Sequence, residues 1–363
     1  MSSNAAQDAV ILIPSLEPDD RLPAYIRRLS DSGFSRIVVV DDGSSAAYQP
    51  IFQEVGQTPG TVVLHHEVNR GKGVALKTGY RYIMEHMPEA IGVITADADG
   101  QHTVEDCLRL AAKLEEGKRA LYLGSRDLTQ DNVPPKSRIG NRVTSAVFHV
   151  LYGPSLPDTQ TGLRAFRREE LPFMIDVEGE RFEYEMKVLI ACSRAKIPII
   201  PVTIETIYEN DNEGTHFHPV KDSIRIYKVI LGDFFKFMAS SLTSVLVDQG
   251  LFNLLNLVVF ANGVEKKPDL ILISTVIARV FSSVFNFWMN RKVVFKHKGN
   301  AGKTFLRYVI LSVIIMLLSA GGTWLIGRTG LSSTVAKLIT DTLLYFVSYR
   351  VQASWVFRED TNE

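Results

Sequence analysis

The chain holds only two cysteines in 363 residues, Cys107 and Cys192, both in apolar surroundings. Two such thiols build neither a disulfide framework nor a thiolate metal cluster, and that usage fits a reducing compartment. Net charge is also missing, with 40 Lys+Arg against 40 Asp+Glu. Nucleic-acid binding driven by bulk positive charge is thereby excluded. Disorder is excluded by a composition of 46% hydrophobic and 22% charged residues. No secretory signal is apparent: Met1–Asp8 is polar, and the apolar run Val10–Ile13 is far too short. The first half is therefore expected to stay in the cytoplasm.

What is present is unevenly spread. All three tryptophans, Trp288, Trp324 and Trp355, lie in the last third. Before about residue 230, apolar runs are short and broken by charge. After it come four long apolar stretches, at about 240–260, 270–289, 305–326 and 334–357. Each approaches the ~20 residues a helix needs to cross a bilayer. Asp248, Arg279, Arg307, Lys337 and Asp341 interrupt or flank them, and such charges face a bundle interior or snorkel to the interface. A soluble bundle of buried helices is the alternative, but four such stretches in series leave too few polar faces for it. Arg291, Lys292, Lys296, Lys298 and Lys303 crowd the loop between the second and third stretches. The positive-inside bias puts that loop on the cytoplasmic side, although Lys266 and Lys267 in the preceding loop weaken the asymmetry.

An internal repeat runs through this region. The segments 285–295 and 347–357 both place an amide, Asn290 or Gln352, ahead of a close on Val-Phe. This pattern reads as two duplicated helical hairpins, or as chance similarity between apolar helices.

The first half alternates strand and helix patterns. Val10–Ile13, Ile37–Val40, Thr61–His65, Ile91–Thr95 and Ala120–Gly124 read as strands, the first two being β-branched runs suited to burial on both faces. Leu22–Ser32, Gly73–His86 and Val104–Glu116 read as helices between them. This order predicts a mostly parallel α/β sheet, whose ligands sit beyond the carboxyl ends of the strands.

Polar clusters fall at those ends. Asp41 and Asp42 can accept hydrogen bonds from a base or ribose, or can simply cap an Asp-Gly turn. Asp97 and Asp99 flank one residue after a strand, so both carboxylates can converge on Mg²⁺ or Mn²⁺ and bridge it to a diphosphate, with Gln101 adding a neutral oxygen. Asn69-Arg70-Gly71-Lys72-Gly73 precedes a helix whose N-terminus can hold an anion. It lacks the Gly-x-Gly-x-x-Gly and Walker spacings, so a dehydrogenase or ATPase reading loses its main support.

In this order the clusters resemble family 2 glycosyltransferases of the GT-A fold, of the dolichyl-phosphate mannose synthase and bactoprenyl-phosphate glucosyltransferase type. The likeness rests on Ile13-Pro14, Val40–Ser44, Asn69–Gly73, Asp97–His102, Gly124-Ser125-Arg126, Ser137–Asn141 and Asp158–Phe166. The segment from about 234 to 358 resembles a GtrA-like membrane domain with four transmembrane helices, through Asn290–Phe295 and Ser348–Gln352.

The resemblance implies transfer of one sugar from a nucleotide sugar, of the GDP-mannose or UDP-glucose type, to dolichyl or undecaprenyl phosphate. Asp97, Asp99 and Gln101 would hold Mg²⁺ or Mn²⁺. Pro14, Asp41, Asp42, Lys72, Asp97 and Ala98 would line the nucleotide-sugar site. Arg126, Ser137 and Arg138 would meet the acceptor phosphate, with Asp99, Arg126 and Arg138 as the catalytic set. A lipid phosphate is already an anion, so this chemistry needs leaving-group stabilisation and guanidinium donors more than a general base.

The sequence departs from the family in three places. Leu16-Glu17-Pro18-Asp19 replaces the usual Asn-Glu after the first strand, which puts nucleoside contacts there in doubt. The Gln-x-x-Arg-Trp signature of processive members is absent, since no tryptophan precedes Trp288. Single transfer is expected instead of polymer synthesis. His216, His218 and Lys221 stand where relatives usually carry basic residues, either closing over the diphosphate, or with one His joining the metal, or forming an ordinary polar loop. Glu183 and Glu185, on a predicted helix, either orient the acceptor or face water.

The expected layout is a catalytic domain over 1–220, an interfacial amphipathic helix over 221–237 and four membrane helices within 238–363. Lys221, Arg225, Lys228 and Lys236 suit the interfacial segment to anionic headgroups. Intramembrane polar residues could also pair between copies of the chain. Two rivals stand beside the transferase. One is a lipid-linked sugar translocator or assembly scaffold with a degenerate transferase half. The other is a nucleotidyltransferase, which would need a glycine-rich loop that Pro14–Asp20 does not have.

Overall fold

Residues 9–15, Ala-Val-Ile-Leu-Ile-Pro-Ser, are buried along their whole length, as a strand covered on both faces must be. The computed structural model describes residues 4–128, 130, 133, 135–205, 219–255, 257 and 268–358. They form two compact units, Met1–Val229 and Ile230–Glu363.

In the first unit, a short helix α1 (Asn4–Asp8) leads into β1 (Ala9–Ser15), then α2 (Arg21–Asp31), β2 (Ile37–Asp41), α3 (Gln49–Gly56), β3 (Thr61–His65), α4 (Lys72–His86), β4 (Gly92–Thr95) and α5 (Val104–Glu115). There follow β5 (Leu121–Arg126), α6 (Pro135–Tyr152), β6 (Arg164–Arg167), α7 (Leu171–Asp176), α8 (Glu183–Ala195) and β7 (Ile199–Ile204). The helices bury one stripe each. In α2 it is Leu22, Tyr25, Ile26 and Leu29, the i, i+3, i+4, i+7 pattern. In α5 it is Cys107, Leu110, Ala111 and Leu114, behind a Thr103 cap whose hydroxyl accepts from the Asp106 amide at 3.1 Å.

The seven strands form one sheet in the order β3-β2-β1-β4-β6-β5-β7. It is mostly parallel, as the alternation predicts. The exception is β6, which runs antiparallel to both its neighbours, β4 and β5. The carboxyl ends of β1, β2 and β4 lie together on one edge, in the registers Ser15↔Asp41 and Leu12↔Thr95.

The second unit is helical. Its described elements are the main part of α9 (Pro219–Leu254), α10 (Pro268–Met289), α11 (Ala301–Gly327) and α12 (Ser333–Val351). The expected interfacial segment 221–237 and the expected first span as far as Leu254 belong to this single helix α9, and the rest of that span lies largely outside the described residues. α10 and α12 each run on into a π-turn, Asn290–Val294 and Gln352–Val356. The Phe295 amide donates to the Asn290 carbonyl at 2.8 Å, and the Phe357 amide donates to the Gln352 carbonyl at 2.8 Å. The sequence repeat is thus a repeat of local geometry. The Phe295 and Phe357 rings stack with centroids 4.9 Å apart.

Large aliphatic side chains such as Leu246, Leu272, Leu317 and Leu338 stand more than 60% exposed, a surface suited to lipid. Among the described residues, Ile224–Leu254, Leu270–Val294 and Ala301–Gly327 are long and apolar enough to cross a membrane. The helix α12 falls outside that group, since Lys337, Asp341 and Arg350 sit within its 19 residues. Two of these charges answer each other: Lys337 Nζ is 2.9 Å from Asp341 Oδ2, and Ser319 of α11 donates to Asp341 Oδ1 at 2.5 Å.

Candidate active site

The site is built from the loops that leave the strand ends. The Asp41 carboxylate accepts from the Ser44 amide at 2.8 Å and Gln49 Nε2 at 3.1 Å, and lies 3.0 Å from His65 Nδ1. Asp42 accepts from the Arg70 and Gly71 amides at 3.0 and 2.7 Å, with His66 Nδ1 at 2.7 Å. Both side chains are buried. Asp42 therefore holds the turn at 69–71 against the end of β2, while Asp41 closes its own turn onto Ser44 and ties it to Gln49 and His65. This is the capping alternative of the sequence reading in concrete form. Gly71 has φ +100°, and a Cβ there would lie 2.6 Å from the Glu180 carbonyl oxygen. Only glycine gives both that backbone and that approach.

This turn delivers Lys72 at the start of α4. Its Nζ lies 2.6 Å from Asp97 Oδ1 and 3.0 Å from Glu185 Oε1, so one ammonium bridges the loop after β4 and the first turn of α8. Burial alone would favour neutral lysine. The charges of Asp97 and Glu185 outweigh it and hold the ammonium above the usual lysine range. On its other oxygen, Asp97 meets His102 Nε2 at 3.2 Å. Burial raises the Asp97 carboxyl, but Lys72 and His102 reverse this and keep it ionised well below the usual range.

Asp99 behaves in the opposite way. Burial and the neighbouring Asp97 charge push its carboxyl up, prevailing over a hydrogen bond from the Gln101 amide at 3.0 Å and the nearby His102 and Lys72 charges. Two carboxylates whose charges work against each other are the environment that a cation relieves. Among the described residues no three His, Cys, Asp or Glu side chains converge on a metal-sized point. Hard oxygen donors in so small a number match Mg²⁺ or Mn²⁺ completed by substrate phosphate, and not a closed all-protein cage. The residues fit a divalent ion on those terms.

The floor of the site comes from the segment before β6. Thr95 Oγ1 donates to the Gly162 carbonyl at 2.7 Å, and a Cβ on Gly162 would sit 2.5 Å from Asp97 Oδ2. Arg164 is buried, donating through Nε to the Thr161 carbonyl at 3.1 Å and through Nη1 to the Glu185 carbonyl at 2.7 Å. At the end of β5, Arg126 grips the fully buried Asp158 with Nε–Oδ2 at 2.7 Å and Nη2–Oδ1 at 3.3 Å. This paired contact fixes the plane of the guanidinium.

Lys72 meets Asp97, and Asp99 lies close enough to feel the Asp97 charge, while Gln101 reaches Asp99 through its backbone amide and not through the side-chain oxygen that the sequence reading assigned to a metal. Pro14 is buried inside β1 opposite Val40, and Ala98 lies between the two carboxylates in the chain. Arg138 stands on α6 and donates to the Gln130 carbonyl at 2.7 Å. Ser137 is in the first turn of α6, with its side chain outside the described set, as is that of Lys221 in α9. His216 and His218 lie outside the described residues. Glu183 accepts from the Glu180 and Arg181 amides at 3.1 and 3.2 Å, capping α8. The parts that sequence reading did not assign are His102 and Asp158, present in the motifs but without roles there, and the pairing of Glu185 with Lys72.

With this geometry in place the comparisons decide the family. Residues 10–171 match Glycosyl transferase family 2, and residues 236–357 match the GtrA/DPMS transmembrane domain. The chain is a family 2 glycosyltransferase joined to a GtrA/DPMS transmembrane domain. The match to the second domain spans all four helices of the C-terminal unit.

The glycosyltransferase is 26% identical over 215 residues to the UDP-N-acetylglucosamine–dolichyl-phosphate N-acetylglucosaminyltransferase of Methanococcus voltae, covering 54% of this chain and 85% of that one. It is 26% identical over 207 residues to the polyprenol monophosphomannose synthase of Mycolicibacterium smegmatis, covering 54% of this chain and 77% of that one. Among solved structures, the glucosyl-3-phosphoglycerate synthase of Mycobacterium tuberculosis, crystallised with Mn²⁺, UDP and phosphoglyceric acid, matches with a TM-score of 0.47 at 15% identity. That match covers 63% of this chain and 80% of that one.

Proposed function

We propose that this glycosyltransferase moves one sugar from a nucleoside-diphosphate sugar to the phosphate of a polyprenyl lipid at the cytoplasmic membrane face, with inversion at the anomeric carbon. The observation that carries the reading is the strand-end cluster in which Lys72, Asp97 and Asp99 meet. It is supported by the curated relatives, which are named for transfer to dolichyl phosphate or polyprenol, and by the lipid-suited helices of the same chain.

In this reading the acceptor phosphate oxygen attacks the anomeric carbon from the face opposite the diphosphate. A C–O bond forms as the bond to the nucleoside diphosphate breaks, and no proton need be removed from the nucleophile. Asp97, Asp99 and the Gln101 side chain would hold Mg²⁺ or Mn²⁺, which when bound neutralises charge on the leaving diphosphate. Lys72 keeps a fixed positive charge beside Asp97. Arg126, its plane set by Asp158, presents its guanidinium to the acceptor phosphate, with Arg138 and Ser137 from α6. Pro14, Asp41 and Asp42 shape the nucleoside end, Asp41 through the turn to Ser44 and Asp42 through the turn at 69–71. The catalytic domain covers residues 1–220, residues 221–237 rest in the anionic interface, and 238–363 form the membrane domain with four helices.

The test is purified full-length protein with Mg²⁺ or Mn²⁺, dolichyl or undecaprenyl phosphate, and a panel of UDP- and GDP-sugars, read by glycolipid mass. One donor should give product, and EDTA should abolish it. Full activity in Asp99→Ala would remove the metal assignment. Absence of product from every donor, in folded protein, would remove the transferase reading.

A further inference from the structure

The residue that follows β3, His66, buries its imidazole, which is only 6% exposed. Each ring nitrogen has a partner. Nδ1 lies 2.7 Å from Asp42 Oδ1, and Nε2 lies 3.0 Å from Thr78 Oγ1. An ionised carboxylate only accepts, so Nδ1 is the donor to Asp42, while a threonine hydroxyl can meet Nε2 in either role.

The two partners lie on opposite sides of Lys72 in the chain. Asp42 accepts from the Arg70 and Gly71 amides, immediately before Lys72. Thr78 stands in α4, less than two turns after it. The imidazole thus closes a circuit. It runs from Asp42 through the turn amides to Lys72, along α4 to Thr78, and back through His66. The chain just after His66 is pressed against the end of β2, since a Cβ on Gly43 would lie 2.3 Å from the Val68 carbonyl carbon.

What the circuit fixes is the start of α4, and with it the root of the Lys72 side chain. A lysine stem is flexible. Its Cα must be well placed for one Nζ to stand 2.6 Å from Asp97 and 3.0 Å from Glu185 together. Asp42 holds the turn, and His66 ties that carboxylate to the helix which the turn begins.

We propose that His66 is a positioning residue for sugar transfer, acting through Asp42 and Thr78 to set Lys72 against Asp97 and Glu185. The inference rests on the transferase reading for what Lys72 does there, and not for where His66 puts it.

The experiment has a kinetic arm and a labelling arm, both on full-length protein in detergent. The first uses undecaprenyl phosphate and the UDP- or GDP-sugar that gives product. His66→Leu should lower kcat about tenfold or more and leave KM for the lipid within about twofold. His66→Asn, whose amide nitrogen can still donate to Asp42, should recover most of the loss. His66→Gln, whose longer amide serves the Thr78 side instead, should not. In Lys72→Met, adding His66→Leu should cost less than about twofold more. An equal factor with and without Lys72 overturns the proposal. So does native kcat in His66→Leu, or equal kcat in the Asn and Gln variants. That last comparison decides if His66→Leu does not fold. The second arm acetylates amines with sulfo-NHS-acetate and reads peptide masses. Lys72 should label about tenfold faster in His66→Leu, while Lys77, further along α4, keeps its rate. An unchanged rate at Lys72, or a matching rise at Lys77, overturns the proposal. A native chain that transfers no sugar would sink the transferase reading, and the labelling arm would still decide what His66 positions.

Discussion

Asn290 Nδ2 donates to Gln352 Oε1 at 3.0 Å, joining two residues 62 positions apart that open equivalent π-turns in the two halves of the membrane unit. Both are buried. Asn290 also donates to Asn286 Oδ1 at 2.9 Å, and Gln352 donates to Ser348 Oγ at 3.1 Å, so the pair lies inside a longer polar chain. Removing one member strands the other, at a cost of about 1–3 kcal/mol, whereas removing both does not. Asn290→Leu and Gln352→Leu should each lower the thermal midpoint in detergent, and the double variant should lose less than the sum. The coupling should be about 0.6–1.7 kcal/mol, the range for hydrogen bonds between membrane helices. Strict additivity in circular-dichroism melts would show that the contact carries no energy.

Lys72 holds two part-buried carboxylates, so its loss is felt twice. Lys72→Met should reduce sugar transfer at least 100-fold. It should also lower the stability of the first unit, because removing one partner of a part-buried pair leaves the other charge uncompensated. Adding Glu185→Gln should restore part of the stability and none of the activity. Equal melting of Lys72→Met and the native chain would contradict the bridging role.

Gly162 lies against the Asp97 carboxylate, and a methyl there would sit 2.5 Å from Oδ2. Gly162→Ala must move the carboxylate. The expected result is a higher half-saturating Mn²⁺ concentration and a fall in turnover of about 100-fold, since a misplacement near 1 Å can have that effect. Unchanged metal dependence would mean that Asp97 can shift without consequence.

Acid sensitivity follows from two carboxyls outside this cluster. For Asp41 burial acts upward, but hydrogen bonds from Ser44, His65 and Gln49 prevail and hold the carboxyl below its usual range. For Glu183 burial is likewise outweighed by backbone amides at the start of α8. A depressed folded value means stability that is complete above the unfolded values, about 3.9 for Asp and 4.3 for Glu. It is lost as pH falls through the folded ones. The urea midpoint of the first unit should therefore drop below about pH 4, and Asp41→Asn should make that drop shallower. A midpoint level from pH 5 to pH 3 would count against both assignments.

The parts of the fold legible in the sequence are those whose burial leaves a one-dimensional trace. The strands β1, β2 and β4 are covered on both faces and read as unbroken apolar runs. β6 left no such trace, being four residues with arginine at each end. In β7, Pro201 interrupts an otherwise β-branched run. The carboxylates after β4 were legible because chemistry and position coincide within five residues. The bridge from Lys72 to Glu185 was not, because it joins positions 113 apart in number through tertiary packing alone. In the second unit, the apolar stretches fall on α9 to α12, three of which are long and apolar enough to cross a membrane among the described residues. Hydropathy could not show that the charges of α12 are answered partly by Ser319 of α11.

The antiparallel strand β6 makes the sheet a joined structure. On one side lie β3, β2, β1 and β4; on the other lie β5 and β7, and the order leaves β6 as the strand between them. Ala165 is in register with Ile94 on one flank and Tyr122 on the other. The β4–β6 contact spans some 70 residues of chain, and pairings at such separation are slow to close. The same four-residue strand carries Arg164 to α8 and, through the turn before it, brings Gly162 onto Asp97. During refolding, activity should thus return with the slowest structural phase, because the seam that completes the sheet also assembles the site.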